Sequence, residues 1–176
     1  MIDMSQKIES PMKKITVAKV VLNMGVGKSG EPIERAKRAL EQISGQQPSP
    51  RAAKATQRDW GVHKGEPIGV AVTLRKKPAI ELIKRLFTAK GNQIKSSSFD
   101  NFGNVSFGIR EHIDIPGVKY DPNIGIVGLN ISISLQRPGF NIRIRSKHKA
   151  SVGHNHRITA DDAKAFLAHE FGIQVI

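Results

Sequence analysis

Apolar residues recur along this chain with two spacings, two and three-to-four, and the changes between them outline the fold. From Ile15 to Met24 the residues are largely β-branched, as in a strand. Its even positions, Thr16, Ala18, Val20, Leu22 and Met24, read as core-facing. Its odd side, extended back to Lys13, carries Ile15, Val17, Lys19, Val21 and Asn23; only this side holds Lys and Asn, so it is assigned to a partner. Ile33, Ala36, Leu40 and Ile43 then fall on one helical stripe, with Pro32 suited to the first turn and Gly45 to the stop. Pro48 and Pro50 rule out further helix, and Arg51 to Lys64 reads as basic loop or short strand.

Alternation returns at Gly69–Arg75, with Val70, Val72 and Leu74 opposite Ala71, Thr73 and Arg75. Pro78–Lys90 predicts a helix burying Ile80, Leu82, Ile83, Leu86 and Phe87, ended by Gly91. Three strands are expected next: Val105, Phe107 and Ile109; Ile126 to Gln136; and Phe140, Ile142 and Ile144 alternating with Asn141, Arg143 and Arg145. A final helix begins near Thr159, a capping hydroxyl followed by Asp161 and Asp162, and uses Phe166, Leu167 and Phe171 as its apolar side. The order β, α, loop, β, α, three strands, α predicts an α+β fold. Its mostly antiparallel sheet has helices on one face and a polar, basic opposite face suited to RNA. Residues 1–10 are expected to be flexible, and residues 11–176 to form one domain.

Charge narrows the partner. The chain has 28 Lys plus Arg against 15 Asp plus Glu, a net +13, which favours a polyanion. From Pro122 to Ala160 there is no acidic residue, and that run holds Arg137, Arg143, Arg145, Lys147, Lys149 and Arg157 with His148, His154 and His156. So long an uncompensated run points to nucleic acid rather than to a merely solvated face. No apolar stretch approaches the ~20 residues of a membrane span, so no membrane partner is expected. The N-terminus does not read as a secretory signal. The absence of cysteine excludes disulfides and thiolate metal sites, and suits a cytosolic chain.

Two motifs suggest other chemistry. Gly25, Gly27 and Gly30 spell a dinucleotide fingerprint between a strand and a helix, but the parallel second strand and its terminal acid do not follow. The simpler reading is a tight turn that lets backbone approach a partner. His154 and His156 lack a nearby third ligand, and the surrounding charge repels cations. No catalytic constellation, metal site or cofactor is predicted.

One segment is too elaborate for a plain connector: Phe107 to Pro122, with two prolines, two glycines and several ionisable side chains. It closely resembles a signature of the universal large-subunit ribosomal protein five family, which binds 5S rRNA. Leu22–Gly27, Ser44–Pro48, Thr56–Glu66 and Val72–Arg75 are similar to elements of the same family in the same order, so the resemblance spans about Pro11 to Ile176. It implies 5S rRNA contacts by Asn23, Gly25, Gln46, Thr73 and Arg75, with Lys13 and Lys19 on the same assigned side. It implies that the Thr56–Glu66 loop, with Arg58, Trp60, His63 and Lys64, reaches the tRNA in the peptidyl site. Trp60 either stacks on RNA there or tucks into the core. Gln47, Ala55 and His63 depart from the family's more basic pattern. The loop from Arg110 to Ile124, with Glu111, His112, Lys119 and Tyr120, is implied to bridge to universal small-subunit protein thirteen. Arg137, Arg143, Arg145, Lys147, Lys149, His154 and Arg157 are expected to meet other rRNA. The Arg137–Phe140 turn and the Pro116-Gly117-Val118 spelling look archaeal.

The function so implied is that of a structural constituent of the 50S subunit, in the cytoplasm. It would attach 5S rRNA to the large rRNA in the central protuberance beside other 5S-binding proteins. Two different readings remain open at this point: a non-ribosomal basic RNA-binding chaperone, and a nucleotide-dependent enzyme using Gly25–Gly30.

Overall fold

A computed structural model describes residues 10–176. The expected flexible N-terminus therefore lies, up to Glu9, outside the described residues. The elements are β1 Thr16–Gly25, α1 Glu31–Ser44, β2 Ser49–Ala52, β3 Pro67–Leu74, α2 Lys76–Ala89, β4 Gln93–Ile94, β5 Val105–Ile109, β6 Leu129–Gln136, α3 Asn141–Ile144, α4 Ala160–Phe171 and β7 Gln174–Val175.

Five strands form one antiparallel sheet in the order β2-β3-β1-β6-β5. One of its faces is apolar: Val20, Leu22 and Met24 of β1, Val70, Val72 and Leu74 of β3, and Ile131, Ile133 and Leu135 of β6 are buried. Against it pack Ile33, Ala36, Leu40 and Ile43 of α1 and Ala79, Leu82, Ile83 and Leu86 of α2. Phe87 stacks on Phe107 at 5.6 Å between centroids and meets Phe171 edge-on at 5.6 Å, which joins α2, β5 and α4 in one aromatic cluster. The α+β architecture with helices on one face is thus as expected.

Local chemistry explains the element ends. Gly45 takes a left-handed φ of 66° and closes α1 through its N–H to the Glu41 carbonyl. Thr159 and Asp162 form a reciprocal capping box at α4. The chain ends in a short parallel pairing of β4 with β7.

Several expectations are corrected. The segment Phe140–Arg145 is not a strand; it turns at Gly139 and forms the short α3, leaving Ile142 and Ile144 exposed. Topology forbids the hairpin: β6 is already flanked by β1 and β5, so no edge beside it is free. Ile80 is exposed, because Ala79 takes the core-facing position and Ile80 sits on the shoulder of the stripe. In β1 the register shifts between Val17 and Lys19. That bulge reverses the face assignment upstream: Thr16 pairs with Gln136 and is exposed, whereas Val17 pairs with Leu135 and packs against the core. Lys13 lies in a 3-10 turn, Pro11–Lys13, and not on the strand.

Candidate nucleic-acid interface

Among the described residues, the sheet's second face carries no helix of the core. Strand alternation puts Lys19, Val21, Asn23 and Gly25 of β1 there, with Ala71 and Thr73 of β3. Register then aligns them across the sheet. One row, Ser49–Ala71–Asn23–Asn130–Gly108, crosses all five strands. A second runs Thr73–Val21–Ser132–Ser106, in which the two serine hydroxyls lie 3.2 Å apart. Lys19 faces Ser134, and at the other end Arg51, Gly69 and Gly25 line up.

These rows contain no acidic side chain and, apart from Lys19 and Arg51, only small groups, among them the apolar Val21 and the buried Ala71. A flat surface of hydroxyls, amides and exposed backbone can come close to a sugar–phosphate chain, and its donors suit 2′-hydroxyl and phosphate oxygens. Gly69 shows how tight the sheet is there: a Cβ would sit 2.9 Å from the Met24 carbonyl oxygen. Asn23, Gly25, Thr73 and Arg75 are all exposed, and Lys19 is half-buried. Arg75 keeps extended backbone (φ −139°, ψ 165°) before α2, so it continues the side of Thr73. Gln46 is exposed in the turn between α1 and β2, beyond the strands themselves. Sequence reasoning misses Ser49, Arg51, Ser106 and Asn130 as site residues. The β6 alternation marks Asn130 as outward-facing, but only the register shows that it adjoins Asn23.

The Thr56–Glu66 loop is a self-braced projection. Gln57 and Val62 exchange backbone hydrogen bonds, Lys64 N–H donates to Thr56 Oγ1 at 3.1 Å, and Ala53 and Gly65 close its base. Ser29 donates to the Glu66 carboxylate, which also accepts from the His63 N–H. These two hydrogen bonds, that from Ser29 first, hold the Glu66 pKa below its ordinary value. The glycine turn after β1 thus meets this loop, and the strand after α1 runs antiparallel to β3, which a dinucleotide fold does not have. Arg58 and Trp60 occupy a 3-10 turn at the tip, closed by Gly61 at φ 63°. Trp60 is 78% exposed, so it is not tucked into the core.

The Arg110–Ile124 loop leans on the helices instead. Gln42 of α1 donates to the Lys119 carbonyl and Arg85 of α2 to the Pro116 carbonyl, while Ile115 and Ile124 enter the core. Arg110, Glu111, Lys119 and Tyr120 are exposed. His112 is not: it is fully buried, and its Nδ1 accepts the Val127 N–H at 3.3 Å. Burial pushes its pKa down, and Nε2 has no hydrogen-bond partner among the described residues. Its expected contact with a partner is therefore corrected to an internal role, fastening the two ends of the loop.

In the basic stretch, Arg143, Arg145, Lys147, Lys149, His154 and Arg157 are exposed. Arg137 is half-buried and is also engaged within the chain. It is paired with Asp162 at 3.0 Å, donates to the Arg157 carbonyl, and ties β6 to α4. His156 is likewise engaged, its Nε2 lying 2.8 Å from the Pro138 carbonyl oxygen.

Comparison with known proteins matches the sequence to a family. Residues 10–63 match the model for ribosomal protein L5, and residues 67–174 match the model for the C-terminus of the same ribosomal family. The chain is 69% identical over 172 residues to the large ribosomal subunit protein uL5 of Nitrosopumilus maritimus, covering 98% of this chain and 99% of that one. It is 63% identical to the uL5 protein of Cenarchaeum symbiosum (94% and 98% covered) and 46% identical to that of Pyrobaculum aerophilum (94% and 92% covered). With both halves matched and archaeal relatives aligned nearly end to end, the chain belongs to the uL5 family of large-subunit ribosomal proteins, structural constituents of the ribosome rather than enzymes.

Proposed function

We propose that the open sheet face docks 5S rRNA and helps attach it to the large rRNA in the central protuberance. The observation that carries this is the five-strand row from Ser49 to Gly108, built of small residues with Ser49, Asn23 and Asn130 as its polar groups, and backed on its other side by the helices. Lys19, Arg51 and Arg75 supply cations to that face and its edge for phosphates, while Asn23, Thr73 and Asn130 supply short-range hydrogen bonds.

Two other surfaces point elsewhere and serve other partners. The braced loop presents Trp60, with Arg58 and Lys64 near it, to the tRNA in the peptidyl site, where an exposed indole can stack on RNA. The helix-supported loop presents Tyr120, Lys119, Arg110 and Glu111 to small-subunit protein thirteen. Of the remaining exposed cations, Arg145, Lys147 and His154 meet large-subunit rRNA, near other 5S-binding proteins.

The test is equilibrium binding of the purified full chain to 5S rRNA and to an unrelated RNA of equal length, across a salt series. Preference for 5S rRNA is expected, with log K falling by about 0.7–0.9 per phosphate contacted for each tenfold rise in salt. Equal affinity for both RNAs, or indifference to salt, refutes the reading.

A further inference from the structure

The chain has a cleft of about 530 Å³ where the end of the sheet meets the basic stretch. Its depth is apolar: Leu135 and Ile158 are nearly buried, and Val152 is half-buried. Two aromatic rings line it, Phe102, which is 57% exposed, and Phe140, over which the Arg143 guanidinium lies at 5.7 Å from the centroid. Arg143, Lys149 and Arg157 also line it, and no lining residue is acidic.

The cleft is continuous with the open sheet face. Gln136 lines it, and Gln136 is the next outward residue after Asn130, Ser132 and Ser134 on β6. Asn104 also lines it, just ahead of β5, whose Ser106 faces Ser132. RNA lying along that face would reach the cleft without leaving the protein.

We propose that this cleft captures one unstacked nucleotide of the RNA bound on the sheet face. The base enters the apolar depth between the rings of Phe102 and Phe140, and its phosphate meets Arg143, Lys149 and Arg157. A nucleotide is the unit that joins a flat apolar body to an anion in this way. The volume falls within the ~300–1,000 Å³ of small-ligand sites, too little for a duplex segment. Gln136 carries an amide suited to the edge of a splayed base, whereas the Asn104 amide is held by the Asp100 carboxylate at 2.6 Å. The inference rests on the proposed docking of 5S rRNA.

The experiment uses the full chain and 5S rRNA. Phe102→Ala removes an exposed ring, so the fold should be unaffected, and Phe102→Tyr keeps a ring in place. Phe102→Ala is expected to weaken binding about five- to one-hundred-fold, the range of base–aromatic stacking, with an unchanged salt slope. Phe102→Tyr should retain affinity. The double variant Arg143→Gln and Lys149→Gln should reduce the salt slope instead. A benzophenone amino acid at position 102 should cross-link to a single RNA nucleotide on irradiation. Unchanged affinity of Phe102→Ala overturns the proposal, as does cross-linking to protein only. If Asn23→Ala with Thr73→Ala still weakens binding in that case, the cleft reading alone has failed. If those sheet variants are also silent, the docking reading has failed with it.

Discussion

Replacing Asn23, Thr73 and Arg75 together by Ala tests the open face most directly. All three side chains are exposed, and none packs in the core. Asn23 is opposite Ala71, and Thr73 is opposite Val21, so Asn23 and Thr73 are diagonal neighbours on adjacent strands. Their Cα atoms are then roughly 7–8 Å apart, close enough to engage one stretch of RNA. Two neutral hydrogen bonds are worth about 0.5–1.5 kcal/mol each, and a charge-assisted one from Arg75 about 1.5–3 kcal/mol. Neighbouring contacts are not fully additive, so the triple variant should lose about 3–5 kcal/mol, or two to three and a half decades in Kd. Because one phosphate contact goes with Arg75, the salt slope should become shallower by about 0.7–0.9. Filter binding to 5S rRNA over a salt series measures both, and urea melts measure stability, which should shift by no more than about 0.5 kcal/mol per surface site. A triple variant with native stability and native affinity would refute the face assignment. Lost affinity with an unchanged slope would remove Arg75 alone from the phosphate contacts.

Other perturbations probe separate parts of the structure. Trp60→Ala should leave the melting temperature unchanged, because the indole is exposed, yet weaken tRNA binding by the full chain by roughly 1–3 kcal/mol; unchanged tRNA affinity removes the stacking role. Gly103→Ala meets a φ of +74° and an Ile158 Cγ2 only 2.5 Å from the new Cβ, so a loss above about 2 kcal/mol is expected in urea unfolding, and a neutral result contradicts that packing. Thr159→Ala breaks the capping box at α4 and should cost about 1 kcal/mol, seen as a lower urea midpoint at constant m. Burial lowers the folded pKa of His112 below its ordinary 6.5, so the neutral ring's contribution is complete above 6.5. As pH falls below 6.5 that contribution is lost, and the loss levels off beneath the folded pKa; the stability gap between wild type and His112→Asn should narrow over that window, and a gap independent of pH refutes it.

Much of this architecture is legible in the chain. The stripes Ile33–Ala36–Leu40–Ile43 and Leu82–Ile83–Leu86–Phe87, the alternation from Leu129 to Leu135, and the Thr159 cap depend on local periodicity and on hydrogen bonds a few residues apart. Asn23, Thr73 and Arg75 read as one surface for the same reason. What is not legible depends on distant neighbours. The alternation at Phe140–Arg145 is a sound strand signal, but β6 has no free side to pair with. Thr16 and Val17 exchange faces because a bulge in β1 is set by the partner β6, not by β1 itself, and Lys13 precedes the strand in a 3-10 turn. His112 and Arg137 look like surface groups in a charged sequence, yet one is sealed by the loop closing on Val127 and the other is held by Asp162 of α4.

By itself, then, the order of residues determined the three long helices and strands β1, β3, β5 and β6, the inward and outward sides of each of these strands beyond the bulge, the cationic balance and the family. The tertiary structure alone decided which outward residues stand side by side, that Ser49 and Gly108 end one row through Asn23, and that Phe102 and Phe140 line one cleft. The physical reason is range: periodicity is written by neighbours within a turn or a pleat, whereas register and burial are settled when segments far apart in the chain exclude water together.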